Sequence, residues 1–155
     1  DLIGLDSVKD RIKEYSNYLE FISLRKGKGI EEEDKINLNC VFKGNPGTGK
    51  TTIARKLGKI YKQLGLLSKG HVHEVDRADL VAEFIGQTAP KTKAAIKKAA
   101  GGILFIDEAY SLGSGTDHTD MYAKECVDTL TGFLSEHTRD FICIISSSCN
   151  FDLYK

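Results

Sequence analysis

Neither sign of charge predominates in this sequence, and no run of apolar residues is long. Lys and Arg together number 22, and so do Asp and Glu. A formal net charge of zero argues against a chain whose main task is to coat nucleic acid or an anionic membrane. Nothing approaches the roughly 20 consecutive apolar residues that cross a bilayer. The opening Asp1-Leu2-Ile3-Gly4 lacks the basic-then-apolar layout of a secretory signal. Cysteine is sparse: Cys40, Cys126, Cys143 and Cys149 include no close Cys-x-x-Cys pair, and three of them lie in apolar stretches. They read as reduced, mostly buried thiols of a cytoplasmic protein, with a disulfide or metal role as the alternative. Internal repeats and low-complexity segments are also missing. What is present is 155 residues, 41% hydrophobic and 28% charged, which suits one globular domain with a real core.

The order of elements follows from the spacing of apolar residues. Val8, Ile12, Tyr15, Leu19 and Ile22 recur at intervals of three and four, the stripe of an amphipathic helix that Asp6 or Ser7 can cap. Arg25 to Asn39 is rich in charge and reads as a solvated linker, so residues 1–37 form a helix and linker ahead of a core over 38–148. Leu38 to Phe42 is a short apolar run that reads as a buried strand. A helix follows Gly49, with Ile53, Leu57, Ile60, Tyr61 and Leu64 on one face, and Gly65 or Gly70 can end it. His71 to Val75 alternates like a strand, with Val72 and Glu74 on the face opposite His71, His73 and Val75. Asp79–Ile85 and Lys91–Ala100 read as short helices separated by Gly86 and Pro90. Ile103–Ile106 is a third strand, Leu112–Thr119 a loop, Asp120–His137 a helix and Phe141–Ile145 a fourth strand. Strands alternating with helices predict an α/β fold, a parallel sheet covered on both faces.

The strongest motif is Gly44-Asn45-Pro46-Gly47-Thr48-Gly49-Lys50-Thr51. It is the full phosphate-loop pattern, and it sits between a predicted strand and a predicted helix, where the chemistry requires it. Glycines let successive N–H groups turn inward around an anion. The helix start points its positive end at the same place. In this pattern Lys50 reaches the β- and γ-phosphates of a nucleotide, and the Thr51 hydroxyl serves Mg²⁺.

The second motif is Gly102-Ile103-Leu104-Phe105-Ile106-Asp107-Glu108. A buried strand delivers its carboxylates at the C-terminal end, where open α/β sheets bind ligands. Asp107 is expected to hold Mg²⁺, mostly through water. Glu108 is expected to polarise a water for attack on the γ-phosphate of ATP. A catalytic Glu beside the metal-binding Asp favours hydrolysis over transfer to a substrate hydroxyl.

Gly44 to Thr52, taken with Leu104-Phe105-Ile106-Asp107-Glu108-Ala109-Tyr110, resembles the AAA+ ATPases. The stretch Asp79-Leu80-Val81-Ala82-Glu83-Phe84-Ile85-Gly86-Gln87-Thr88-Ala89-Pro90-Lys91-Thr92 is similar to one branch of them. That branch holds red-type Rubisco activase, the stage V sporulation protein K-like ATPases and the type VII secretion ATPases. The resemblance covers about residues 1–146 and implies a P-loop NTPase fold with strand order 1-4-3-2. It implies Mg²⁺ and ATP as ligands, with Thr52 completing the phosphate loop, and a hexameric ring that remodels or threads a protein substrate. It matches Phe84-Ile85-Gly86 to a substrate-gripping pore loop; the residues alone leave core packing of Phe84 open. It matches Leu2-Ile3-Gly4-Leu5, and with it Ile3 and Gly4, to the segment lining the adenine pocket; an entry turn before a helix is the alternative. The polar sensor of the γ-phosphate falls near Ser147 and Ser148, with Asn150 as a further candidate. From Cys149 onward the resemblance stops. The branch's fifth strand, arginine finger and helical lid are therefore expected to have no counterpart, leaving the nucleotide-binding subdomain incomplete at its C-terminus.

Two other functions fit parts of the pattern. One is a shortened ATP-binding regulatory module with little turnover. The other is a nucleic-acid motor, against which the neutral charge and the Phe-Ile-Gly segment count. His71 and His73 share a strand face but have no third ligand, so a metal site there is not expected. Asp117 to Asp120 reads as a solvated loop and helix cap. Lys91, Lys93, Lys97 and Lys98 read as a solvated helix face.

Overall fold

A computed structural model describes residues 6–28, 37–112, 120–135 and 140–147. The elements are α1 (Asp6–Gly27), β1 (Cys40–Lys43), α2 (Lys50–Gln63), β2 (Val72–Val75), α3 (Arg77–Leu80) and α4 (Thr88–Ala99). There follow β3 (Ile103–Ile106), a 3₁₀ turn (Ala109–Leu112), α5 (Met121–Ser135) and β4 (Ile142–Ser147). The strands pair in the order β1-β4-β3-β2, and every pairing is parallel. This is the expected α/β architecture and strand order.

Alternation along the strands sends side chains into two cores. Leu104, Ile106 and Cys143 pack with α3, α4 and α5 on one face. Ile103, Phe105, Ile142 and Ile144 pack with α1 and α2 on the other. Three residues of the stripe expected on α1 face this second core: Leu19 is buried there, with Ile12 and Tyr15 against it. Tyr15 meets Tyr61 of α2 edge-on, their centroids 6.4 Å apart, a favoured aromatic arrangement.

Several boundaries differ from expectation, each for a local reason. β1 is not a buried strand. Its exposure alternates, and Val41 is 49% exposed. Among the described residues β1 pairs with β4 alone, which makes it an edge. α1 continues past Ile22 to Gly27, shortening the expected linker. β4 continues through Ser147, because its backbone stays in register with β1 as far as Lys43.

The helix expected over Asp79–Ile85 instead starts at Arg77 and stops at Leu80. Asp76 caps it in a reciprocal box with Asp79, which fixes the start. Its end is held by α4. The Thr92 hydroxyl donates to the Leu80 carbonyl at 2.9 Å, and Lys91 Nζ donates to the carbonyls of Ala78 and Val81. Lys91 is thus a cap rather than part of a solvated face. Pro90 does not separate helices. It lies in the first turn of α4, where a missing N–H costs no intrahelical bond.

Close backbone contact fixes the junction of α2 with the segment entering β2. A Cβ at Gly58, inside α2, would lie 2.4 Å from the Gly70 carbonyl oxygen. Replacing a helical glycine by alanine ordinarily gains about 1 kcal/mol. Here the sign should reverse, and Gly58→Ala should cost about 1–3 kcal/mol, as overpacking does. A chemical denaturation midpoint that falls agrees with this packing; one that rises contradicts it.

Candidate functional site

The phosphate-loop sequence forms a turn between β1 and α2. Gly47 and Gly49 take φ of 75° and 86°, left-handed values that side-chain-bearing residues disfavour. Gly49 is also the N-cap of α2, so the first amides of that helix point into the turn. The Gly44 amide ties the loop to β4 by donating to the Ser147 carbonyl at 3.1 Å, and within the loop the Thr48 hydroxyl donates to the Asn45 carbonyl at 2.8 Å. Lys50 folds back over the loop. Its Nζ donates to the carbonyls of Gly44 at 2.7 Å and Asn45 at 2.9 Å. An ammonium held on two neutral carbonyls is poised over the turn and would gain by exchanging them for an anion.

β3 delivers the acidic pair to the same end of the sheet. The Asp107 amide donates to the Val75 carbonyl of β2 at 2.9 Å, and Asp107 Oδ1 accepts from the Glu108 amide at 3.1 Å. Glu108 has φ of 51°, the single non-glycine positive φ among the described residues. Such a backbone costs of order 1–3 kcal/mol and persists only where its surroundings impose it. It turns the chain sharply after the strand and leaves Glu108 exposed.

Glu74, at the end of β2, joins the two motifs, a part that the sequence did not assign to it. Its Oε1 accepts from the Thr51 hydroxyl at 3.3 Å, and its Oε2 lies 3.9 Å from Arg55 Nη2. Thr51 therefore contacts the residue that precedes Val75, and Val75 bonds Asp107. The available signal was its position: an acid near the C-terminal end of a parallel strand, on the face toward α2.

Gly44 to Thr52, Asp107 and Glu108 thus lie at the carboxyl ends of β1 and β3, with β4 between those strands. Ser147 ends β4 beside the loop and is buried, opposite Lys43 in the register. Ile3, Gly4, Ser148 and Asn150 lie outside the described residues. The Phe84-Ile85-Gly86 segment is a turn between α3 and α4, with Phe84 65% and Ile85 89% exposed. Phe84 is therefore not a core residue. Gly86 turns with φ of 78°.

Elsewhere, His71 Nε2 lies 2.7 Å from the Lys98 carbonyl. No group of three or more His, Cys, Asp or Glu able to hold a metal occurs among the described residues. The described cysteines, Cys40, Cys126 and Cys143, are free thiols, and burial pushes the Cys40 thiol up to about 11. No described helix is long and apolar enough to cross a membrane.

The site could hold a phosphate group with Mg²⁺. A helix start at Gly49 and the Lys50 ammonium are the kinds of group that bind phosphate. Mg²⁺ is usually held by one or two carboxylates together with phosphate oxygens and waters, not by an all-protein cage. Thr51 and Asp107, with Glu74 beside them, supply such a donor set.

The family described as "ATPase family associated with various cellular activities (AAA)" matches residues 40–154. Stage V sporulation protein K of Bacillus subtilis (strain 168) is 46% identical over 145 residues, covering 94% of this chain and 44% of that protein. Protein CbbX of Cereibacter sphaeroides is 43% identical, covering 94% of this chain and 47% of its own length. The chloroplastic ribulose bisphosphate carboxylase/oxygenase activase of Cyanidioschyzon merolae is 42% identical with the same coverage. The chain thus spans less than half the length of these relatives. Among solved structures, the AAA domain of FIGL-1 in complex with ADP superposes with a TM-score of 0.60. It covers 96% of this chain and 47% of that one, and at 18% identity it shows the shared fold.

Lys50→Ala removes the ammonium that reaches across the loop. Charge-assisted hydrogen bonds contribute about 1.5–3 kcal/mol each, so ATP affinity should fall by about two orders of magnitude or more. Titration of the purified variant with a fluorescent nucleotide measures this, and unchanged affinity would refute the assignment of the loop.

Proposed function

This chain belongs to the AAA ATPases, and on that premise we propose that it binds Mg²⁺–ATP at residues 44–52 and hydrolyses it. The observation that carries the reading is the convergence of the phosphate loop with Asp107 and Glu108 through the Thr51–Glu74 contact. Lys50 leaves the carbonyls of Gly44 and Asn45 and takes the β- and γ-phosphates. The amides of Gly47 to Thr51 bind and orient the triphosphate. Thr51 and Asp107 hold Mg²⁺, which when bound neutralises phosphate charge. Glu108 accepts a proton from the attacking water as the water oxygen bonds to the γ-phosphorus and the bond to the β–γ bridging oxygen breaks. Ser147, next to the loop, is the described candidate for a polar group that senses the γ-phosphate. Ile3 and Gly4 are proposed for the adenine pocket on the resemblance alone.

We further propose that turnover serves a protein substrate. The relatives named above include an activase, and the Phe84-Ile85-Gly86 turn presents an exposed aromatic and an exposed aliphatic side chain at a glycine. A large apolar pair kept in solvent invites contact with another chain. In a homo-oligomeric ring, of hexameric form in this reading, such turns would face a common axis and grip a polypeptide.

Glu108→Gln should retain ATP and slow its cleavage by about 10²–10⁴, the usual share of a general base. Single-turnover hydrolysis of bound ATP measures this; cleavage at the parental rate removes Glu108 from the role.

Phe84→Ala should abolish stimulation of ATP turnover by a protein substrate. Because Phe84 is exposed, its loss should change stability by no more than about 0.5 kcal/mol. A large drop in Tm, of the kind that follows a core deletion of about 3–5 kcal/mol, would contradict the placement.

A further inference from the structure

Arg77 occupies a place that the nucleotide reading leaves unexplained. It opens α3, and its guanidinium lies between two other elements. Nη1 donates to the Ser111 carbonyl of the 3₁₀ turn at 2.6 Å, and Nη2 pairs with Asp120 Oδ2. The Ser111 amide donates to the Glu108 carbonyl at 3.0 Å, so Arg77 is one residue removed from the strained backbone of Glu108. Asp120 also caps α5, accepting from the amides of Tyr122 and Ala123 at 3.1 Å each.

The other end of this arrangement is the Phe84 turn. The Arg77 carbonyl accepts from the Val81 amide at 2.8 Å, and the Ala82 amide donates to the buried Thr88 hydroxyl at 3.1 Å. Glu108 and Phe84 line one cleft of about 980 Å³, whose walls also include Arg77, Gln87, Asp120 and Tyr122. Hydrogen-bonded neighbours thus connect the Glu108 backbone with the residues that precede the turn. Arg77 is fitted to link them, because its planar fork engages two partners in fixed directions.

We propose that Arg77 is a positioning residue that couples the Glu108 end of β3 to the Phe84-Ile85-Gly86 turn, with Asp120 as its counter-charge. The inference rests on the nucleotide reading above. In it, the ATP and ADP states differ in how the Glu108–Ser111 backbone is held, and Arg77 conveys that difference to α3 and the turn. Asp120 keeps the guanidinium in place from the opposite side.

The chain contains no tryptophan, so Phe84→Trp provides a single emission reporter on the turn. With Mg²⁺, its emission should differ between the complex with ADP and that with ADP and beryllium fluoride. In the reporter background, Arg77→Gln and Asp120→Asn should each reduce that difference to less than about half, as expected for loss of a coupling contact. Nucleotide affinity should stay within about threefold, since neither residue is placed on the phosphates. Arg77→Lys should restore the difference only in part, because an ammonium cannot engage both partners as a fork does. Asn caps helices as well as Asp, so Asp120→Asn removes the charge while keeping the cap, and it remains decisive if Arg77→Gln fails to fold. An undiminished emission difference in a folded variant overturns the proposal, as does a reporter that binds both nucleotides without distinguishing them. A reporter that binds no nucleotide defeats the nucleotide reading itself, and the coupling falls with it.

Discussion

Burial of β3 is the constraint from which the site follows. Ile103, Leu104, Phe105 and Ile106 are each no more than 1% exposed, with β2 on one side, β4 on the other and a hydrophobic core against each face. Such residues contribute of order 1.5–3 kcal/mol apiece, so the strand cannot slide without a large loss. A shift by one residue would also exchange the side chains of the two cores. Asp107 and Glu108 are therefore held where the apolar run ends. The phosphate loop is placed by the same sheet, since the Gly44 amide is bonded to β4 through Ser147, and β4 is bonded to β3.

The strained Glu108 backbone belongs to this logic. A left-handed residue two positions beyond the end of a fully buried strand turns the chain sharply and leaves the carboxylate in solvent. A glycine would relieve the strain but would remove the carboxylate. A glutamate in this strained, exposed position agrees with the role proposed for Glu108, in which the acid stands next to bound phosphate rather than in the core. From there the 3₁₀ turn, Arg77 and Asp120 lead to α3 and α5, so the Glu108 end of β3 and the exposed turn share one hydrogen-bonded frame.

Much of this was legible in the sequence because it depends on local pattern. The glycine spacing, Lys50 and Thr51 specify a tight loop that opens a helix. The apolar run before Asp107 specifies both the strand and the end at which the acids emerge. The parallel order of strands followed from their alternation with helices and from the resemblance. What could not be read depends on contacts across the chain. Glu74 meets Thr51 across 23 residues, and Arg77 meets Asp120 across 43. Periodicity carries no information about such pairs, which are set by strand register and helix packing. The early end of α3 has the same cause: carbonyls that a longer helix would use are taken by Thr92 and Lys91 of α4. β1 misled because its apolar composition suggests burial, whereas its pairing partners decide exposure.

The central claim is that triphosphate and Mg²⁺ occupy the loop between β1 and α2, with Lys50 turned onto the phosphates. The most direct measurement is a crystal structure of the protein grown with Mg²⁺, ADP and beryllium fluoride. The account predicts the fluoride group beside Lys50 Nζ and the Gly47–Thr51 amides, Mg²⁺ at the Thr51 hydroxyl, and Lys50 withdrawn from the carbonyls of Gly44 and Asn45. Nucleotide bound elsewhere, or a Lys50 that keeps its two carbonyls while nucleotide is bound, would contradict it.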